Sequence, residues 1–248
     1  MLVSTLRRPF IEMAFKHGSE HEMVAGDRKT EESVKQRVYR TLRARVMCGA
    51  VAPGLAITMQ GVAADLGVST MPVREALHRL VAEGALEHLD NRRVRVPRMT
   101  PAKFEEIIAA RLALEPLAAE RALPHIDEDR LLLLQKIDSD IGDAYAADDL
   151  LRSTELNFAF HRTMYEPKAG TVLLDLMESV WLRLGPFMRL ATANLEESYR
   201  IDRHAEAMEA IRSRDAGGLK AAIIADIQDG IGHLGRHFFN DGATSPKV

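Results

Sequence analysis

A single cysteine, Cys48, stands in a chain of 248 residues, so no disulfide can close within it, and a reducing, cytoplasmic setting is expected. No apolar run approaches the roughly 18 residues that span a bilayer, so no membrane partner is expected. The first 15 residues carry Arg7 and Arg8, but Pro9 and Glu12 interrupt the apolar stretch and no small-residue cleavage site follows, which argues against a secretion signal. His-Glu-x-x-His, a glycine-rich phosphate loop and a nucleophile motif are all missing, and an enzyme is not expected. Internal repeats and low-complexity tracts are missing too. Beyond Pro97 nothing alternates with the period of a strand.

What is present begins with charge. Residues 28–98 hold 13 Lys and Arg against 7 Asp and Glu, whereas residues 99–248 hold 17 against 25. The net charge of −3 therefore conceals a basic N-terminal part on an acidic remainder, and only the first part suits a polyanion. A hydrophobic fraction of 46% is enough to build a core.

Residues 1–27 show no clean period and read as a mobile tail, and residues 241–248 as a C-terminal tail. From Thr30 the pattern turns helical: Val34, Val38, Leu42 and Val46 recur every four residues, with Thr30 or Ser33 as the cap and Gly49 as the stop. Pro53-Gly54 marks a turn. A short helix over Met59–Leu66 ends at Gly67, and a second begins after Ser69 with Pro72 in its first turn and Gly84 at its close. Two β-prone runs, Ala85–Leu89 and Val94–Val96, flank Asp90-Asn91-Arg92-Arg93 and predict a hairpin. Three helices followed by a hairpin make a winged helix. Six further helices are expected at about 101–123, 127–147, 150–166, 169–191, 196–213 and 215–240, joined by short connections. The fold class is thus mainly α: a winged helix-turn-helix over residues 28–98 and an antiparallel helical bundle over 99–240.

The sharpest local signal is Gly67-Val68-Ser69-Thr70-Met71-Pro72-Val73-Arg74-Glu75-Ala76-Leu77. A glycine permits the tight bend between two helices, and the helix that follows projects its first turn outward while its apolar face packs inward. Such a helix fits the major groove. Together with Gly49, Pro53-Gly54, Ala63, Leu66, Leu80, Glu83-Gly84 and Arg92, this stretch resembles the GntR family of bacterial regulators over about residues 30–98. The resemblance implies double-stranded DNA as partner. It places Ser69 on a phosphate, Arg74 on a phosphate or a guanine, and Arg92 and Arg93 at the wing tip in the minor groove or on the backbone. Thr70, Pro72 and Gln60 complete the expected DNA-binding set. The sequence departs from the family pattern at Thr70, where an arginine that reads guanine is usual, at Met71, where threonine is usual, and at Arg92-Arg93, where Arg-Gly is usual.

The helical half resembles the FCD domain, the ligand-sensing part of the FadR subgroup. Arg111-Leu112-Ala113-Leu114-Glu115-Pro116, Asn157-Phe158-Ala159-Phe160-His161, His204 ahead of Ile211, and the Asp215-to-Asp226 helix carry the likeness over about residues 101–235. Asn157 and His161, four apart, share one helix face. The family's usual Asp, His, His, His metal set maps here onto Asn157, His161, His204 and Asp226, a swap that keeps one negative charge and so a divalent cation. Zn²⁺, Mn²⁺, Ni²⁺ and Fe²⁺ all suit such donors. His233, two helical turns beyond Asp226, competes for the fourth position or lines the effector site. Arg111 either clamps the carboxylate of an organic-acid effector or pairs with Glu115 one turn on.

The resulting expectation is a homodimeric regulator, a repressor, that reads a pseudo-palindromic operator and is released by a small organic acid. A metal-free effector-binding regulator, a metal-dependent hydrolase and a nucleoid or adaptor protein stand as alternatives.

Overall fold

The computed structural model describes residues 33–89, 93–167, 170–193 and 203–240. The two tails and Arg92, with the expectations made for them, lie outside the described residues.

Helix α1 (Val34–Met47) opens on a capping box in which the Ser33 hydroxyl accepts from the Gln36 backbone N–H. Helix α2 (Met59–Leu66) ends at Gly67, whose φ of 63° is left-handed and suits a residue without a Cβ. Helix α3 (Thr70–Ala82) turns Pro72, Val73, Ala76, Leu77 and Leu80 inward against α1. Strands β2 (Glu87–Leu89) and β3 (Arg93–Arg95) form the expected hairpin, and a short strand β1 (Ala56–Ile57) pairs antiparallel with β3, giving the order β1-β3-β2. That third strand was not anticipated, because two residues show no period.

The bundle comprises α4 (Pro101–Ala122), α5 (Glu128–Ala146), α6 (Leu150–Tyr165), α7 (Thr171–Ala193), α8 (His204–Arg212), α9 (Ala216–Ile227) and α10 (His233–Asn240). Its core gathers Phe104, Ile108, Leu134, Phe160, Met164, Trp181 and Phe187, all essentially shut off from water. The single helix expected over 215–240 is instead two, separated by a π-helical turn at Gln228–Gly232 in which Gly230 leaves helical geometry (φ −76°, ψ −114°). No described helix is long and apolar enough to cross a membrane.

Helix α7 joins the halves. Leu182 is fully buried in the core of the winged helix rather than in that of the bundle. The Arg189 guanidinium donates to the Gly49 carbonyl at 2.8 Å, and Arg183 donates to the Glu83 carbonyl at 2.8 Å. Glu178 is ion-paired with Arg43 of α1 at 2.9 Å and also with Arg162 of α6. At Gly185 the two helices approach so closely that a Cβ there would lie 1.6 Å from the Met47 carbonyl oxygen.

Cys48 sits beneath this junction. Burial, helped by the negative charge of Glu155, pushes its thiol up to about 11. Only about a thousandth of it is thiolate at pH 8, so Cys48 should react with an aromatic disulfide reagent roughly a hundredfold more slowly than an ordinary exposed cysteine. The full rate should return in denaturant. Completion within seconds on the native protein would show that the junction opens readily.

Candidate DNA-reading surface and candidate metal centre

At one end of the molecule the start of α3 and the edge of the hairpin present their polar side chains outward. Gln60, Ser69, Thr70, Arg74 and Arg93 are all exposed. Ser69 stands exposed at the N-cap of α3, and its side chain makes no capping hydrogen bond. Pro72 does not belong with them. It is buried, and its fixed φ and missing N–H suit the first turn of the helix, so its place is one that shapes α3. Glu75 is drawn aside by Lys35 of α1 at 2.8 Å. His78 on α3 meets His88 on β2 edge to face, with ring centroids 5.6 Å apart, a pairing across elements that linear spacing does not reveal.

Inside the bundle, α6, α8 and α9 bring His161, His204 and Asp226 together, with donor atoms within 4.8 Å of one another. All three are buried. The histidines are held by fixed partners. Tyr165 has one hydroxyl proton and Glu115 can only accept, so that proton points at Glu115 Oε2 (3.1 Å). The His161 Nδ1, 3.2 Å from the same hydroxyl oxygen, must then be its donor. The Nδ1 of His204 likewise meets the Asp138 carboxylate at 2.8 Å. Each ring therefore turns Nε2 toward Asp226, at 3.3 Å from Oδ2 for His161 and 3.9 Å from Oδ1 for His204. Phe160 stacks on the His204 ring at 3.8 Å and sets its plane.

This donor set fits a divalent cation. Among the described residues, the His161 Nε2 is buried with no hydrogen-bond partner. A ring lone pair facing a carboxylate is repulsive unless a proton or a cation lies between them. Nδ1–H bonds to a hydroxyl and a carboxylate are the outer supports that hold ligating imidazoles in one tautomer. Burial works against ionisation of Asp226, but positive charge on the His161 and His204 rings, with that of Arg111, outweighs it and holds the carboxyl well below the ordinary carboxylate range.

Beside these donors lies a cavity of about 60 Å³ lined by Arg111, Asn157, Thr192, Asp226, Ile231 and Leu234 among others. Asn157, half-buried on α6, thus shares a wall with Asp226. Arg111 takes the pairing with Glu115. Its Nε and Nη2 bind Glu115 at 2.5 and 3.2 Å, yet the side chain still borders the cavity. Glu115, wholly buried, also accepts from Trp181 Nε1 at 2.8 Å. Burial would raise its pKa, but Arg111, with His161 and Trp181, keeps the carboxylate below its ordinary range.

His233 does not join the site. It is exposed, at the start of α10. The expectation of a common face with Asp226 assumed an uninterrupted α-helix, but a π turn adds about one residue and rotates everything after it by roughly 100°. Ile231 and Leu234 face the cavity in its place. Asp138 and Tyr165 escaped sequence reasoning. Tyr165, four residues after His161, carried a spacing signal; Asp138, on a separate helix, carried none.

Residues 34–96 match the family model described as bacterial regulatory proteins, gntR family, and residues 106–229 match that of the FCD domain. The HTH-type transcriptional regulator McbR of Escherichia coli (strain K12) is 26% identical over 207 residues, covering 82% of this chain and 93% of that protein. The solved structure of E. coli McbR/YncC superposes with a TM-score of 0.78 at 25% identity, over 84% of this chain and 99% of the other. A GntR transcriptional regulator from Rhodococcus sp. RHA1 shares the fold with a TM-score of 0.58 at 23% identity, over 84% and 94%.

Proposed function

The chain belongs to the GntR family of bacterial transcriptional regulators, with an FCD effector-binding domain behind its helix-turn-helix, and from that premise we propose that it is a cytoplasmic, homodimeric repressor released from its operator by a small organic acid. Its kin are regulators rather than enzymes, which removes the hydrolase alternative. Residues 28–98 serve as the DNA-binding head and 99–240 as the sensor. Two heads related by a two-fold axis read a pseudo-palindrome, with Ser69 and Arg74 on phosphate or base edges, Gln60 and Thr70 beside them, and Arg92 and Arg93 at the wing.

The observation that carries the sensor reading is the buried His161 Nε2 aimed at Asp226 beside Arg111. His161, His204 and Asp226 would hold a divalent ion, with the Asn157 amide oxygen as a further donor. When bound, such an ion supplies positive charge and open positions for a carboxylate or hydroxyl oxygen. Arg111 steadies the acid from the other side while Glu115 fixes its guanidinium. A cavity of about 60 Å³ suits an acid of a few carbons, such as a small hydroxy acid, better than a fatty acid.

Elemental mass spectrometry of the purified protein tests this. Close to one divalent ion per chain is expected, lost in His161→Ala/His204→Ala. The place of Arg111 on the cavity wall favours a second reading, in which the acid binds Arg111 and the histidines directly. No retained metal after reloading with Zn²⁺, Mn²⁺ and Ni²⁺ would select that one.

A further inference from the structure

The outward stripe of α3 carries one residue that its polar neighbours do not explain. Met71, in the first turn, is 57% exposed, whereas the inward face of the same helix is packed shut. Residues three, four and seven apart share a helix face, so Met71 lies in line with Arg74 and His78, both exposed. Thr70 beside it is exposed as well. The end of the reading helix thus offers a thioether and two methyl groups beside the Thr70 hydroxyl.

The chemistry of the Met71 side chain excludes one base and favours another. A thioether has no proton to donate, so it cannot bind the O6 and N7 acceptors of guanine. The one apolar group that B-DNA displays in the major groove is the C5-methyl of thymine. A flexible, polarisable side chain adapts well to such a contact. We infer that Met71 is a specificity-determining residue that reads thymine through its C5-methyl, with the Thr70 methyl beside it. Each operator half-site then carries a T·A pair under the start of α3. This rests on the reading that α3 enters the major groove.

The test uses the full-length protein and a sequence selected from a random duplex pool, with binding followed by fluorescence anisotropy at fixed salt. Each thymine is replaced in turn by deoxyuridine, which removes only the methyl. One position per half-site should lose affinity about fourfold, the worth of one buried methyl, and the double replacement about sixteenfold. Met71→Ala should bind the thymine and uracil duplexes alike. Met71→Leu, which restores an apolar side chain of similar volume, should restore the difference. A penalty that persists undiminished in Met71→Ala, or no penalty at any thymine, overturns this inference and leaves the groove reading intact. Failure to select any sequence, or binding that Arg74→Ala leaves unchanged, overturns the groove reading and this inference with it.

Discussion

Glu115→Leu is expected to cost roughly 3–5 kcal/mol of stability, because it leaves the Arg111 guanidinium buried without its counter-charge. The loss goes further than one pair. Tyr165 and Trp181 both donate to the same carboxylate, so two more buried donors lose their acceptor. At about 2–4 °C per kcal/mol for a chain of this size, the melting temperature should fall by roughly 6–20 °C. The double variant Arg111→Met/Glu115→Leu should recover more than half of it, since it removes the stranded charge. Thermal denaturation followed by circular dichroism decides the matter, and a single-variant loss under about 1 kcal/mol would mean that the ion pair is not shut from water as described. The carboxyl's pKa is lower in the folded chain than in the unfolded one. Its stabilising contribution is therefore complete above about pH 4.3, the unfolded value, and is lost as the pH falls through the folded value. Glu115→Gln should flatten that acid limb.

Gly185→Val should separate the head from the sensor. The clash it creates is between a Cβ and the Met47 backbone oxygen, so no side-chain rotation relieves it and α1 must move off α7. Two cores survive that movement, apart from Leu182, which leaves the head. We expect a loss of roughly 3 kcal/mol or more and a melt that splits into two transitions. Amide exchange should quicken in α1 and around Gly49, and operator binding should lose its response to the effector. A variant that melts once, at the wild-type temperature, would show that α1 and α7 do not meet as closely as stated.

Much of the head was legible because its signals are local. Apolar periodicity marked α1, Gly67 marked the bend, and the β-prone runs around residues 90–93 marked the hairpin. His161, His204 and Asp226 were legible through the resemblance to the FCD domain, whose usual metal set maps onto them, and the structure brings them together. Misreadings arose where a local rule met a non-local fact. Pro72 looked like part of a DNA-facing stretch, but tertiary packing buries it. His233 was placed by counting α-helical turns, and Gly230 and Gly232, two glycines within one turn, were the overlooked sign that the count would break. Nothing in the chain's linear order pairs His204 with Asp138 or sends Leu182 into a core built from residues 38–96.

Trp181 and Leu182 are neighbours in sequence, yet one completes the surroundings of Glu115 and the other fills the interior of the winged helix. The head therefore borrows part of its own inside from the sensor. Anyone building chimaeras by grafting this sensor onto a foreign head, or this head onto a foreign sensor, would cut through a shared core rather than a linker. A graft that stops at residue 98 should yield a head with a hole where Leu182 belongs. The exchangeable unit is the head together with the α7 side chains that seat it.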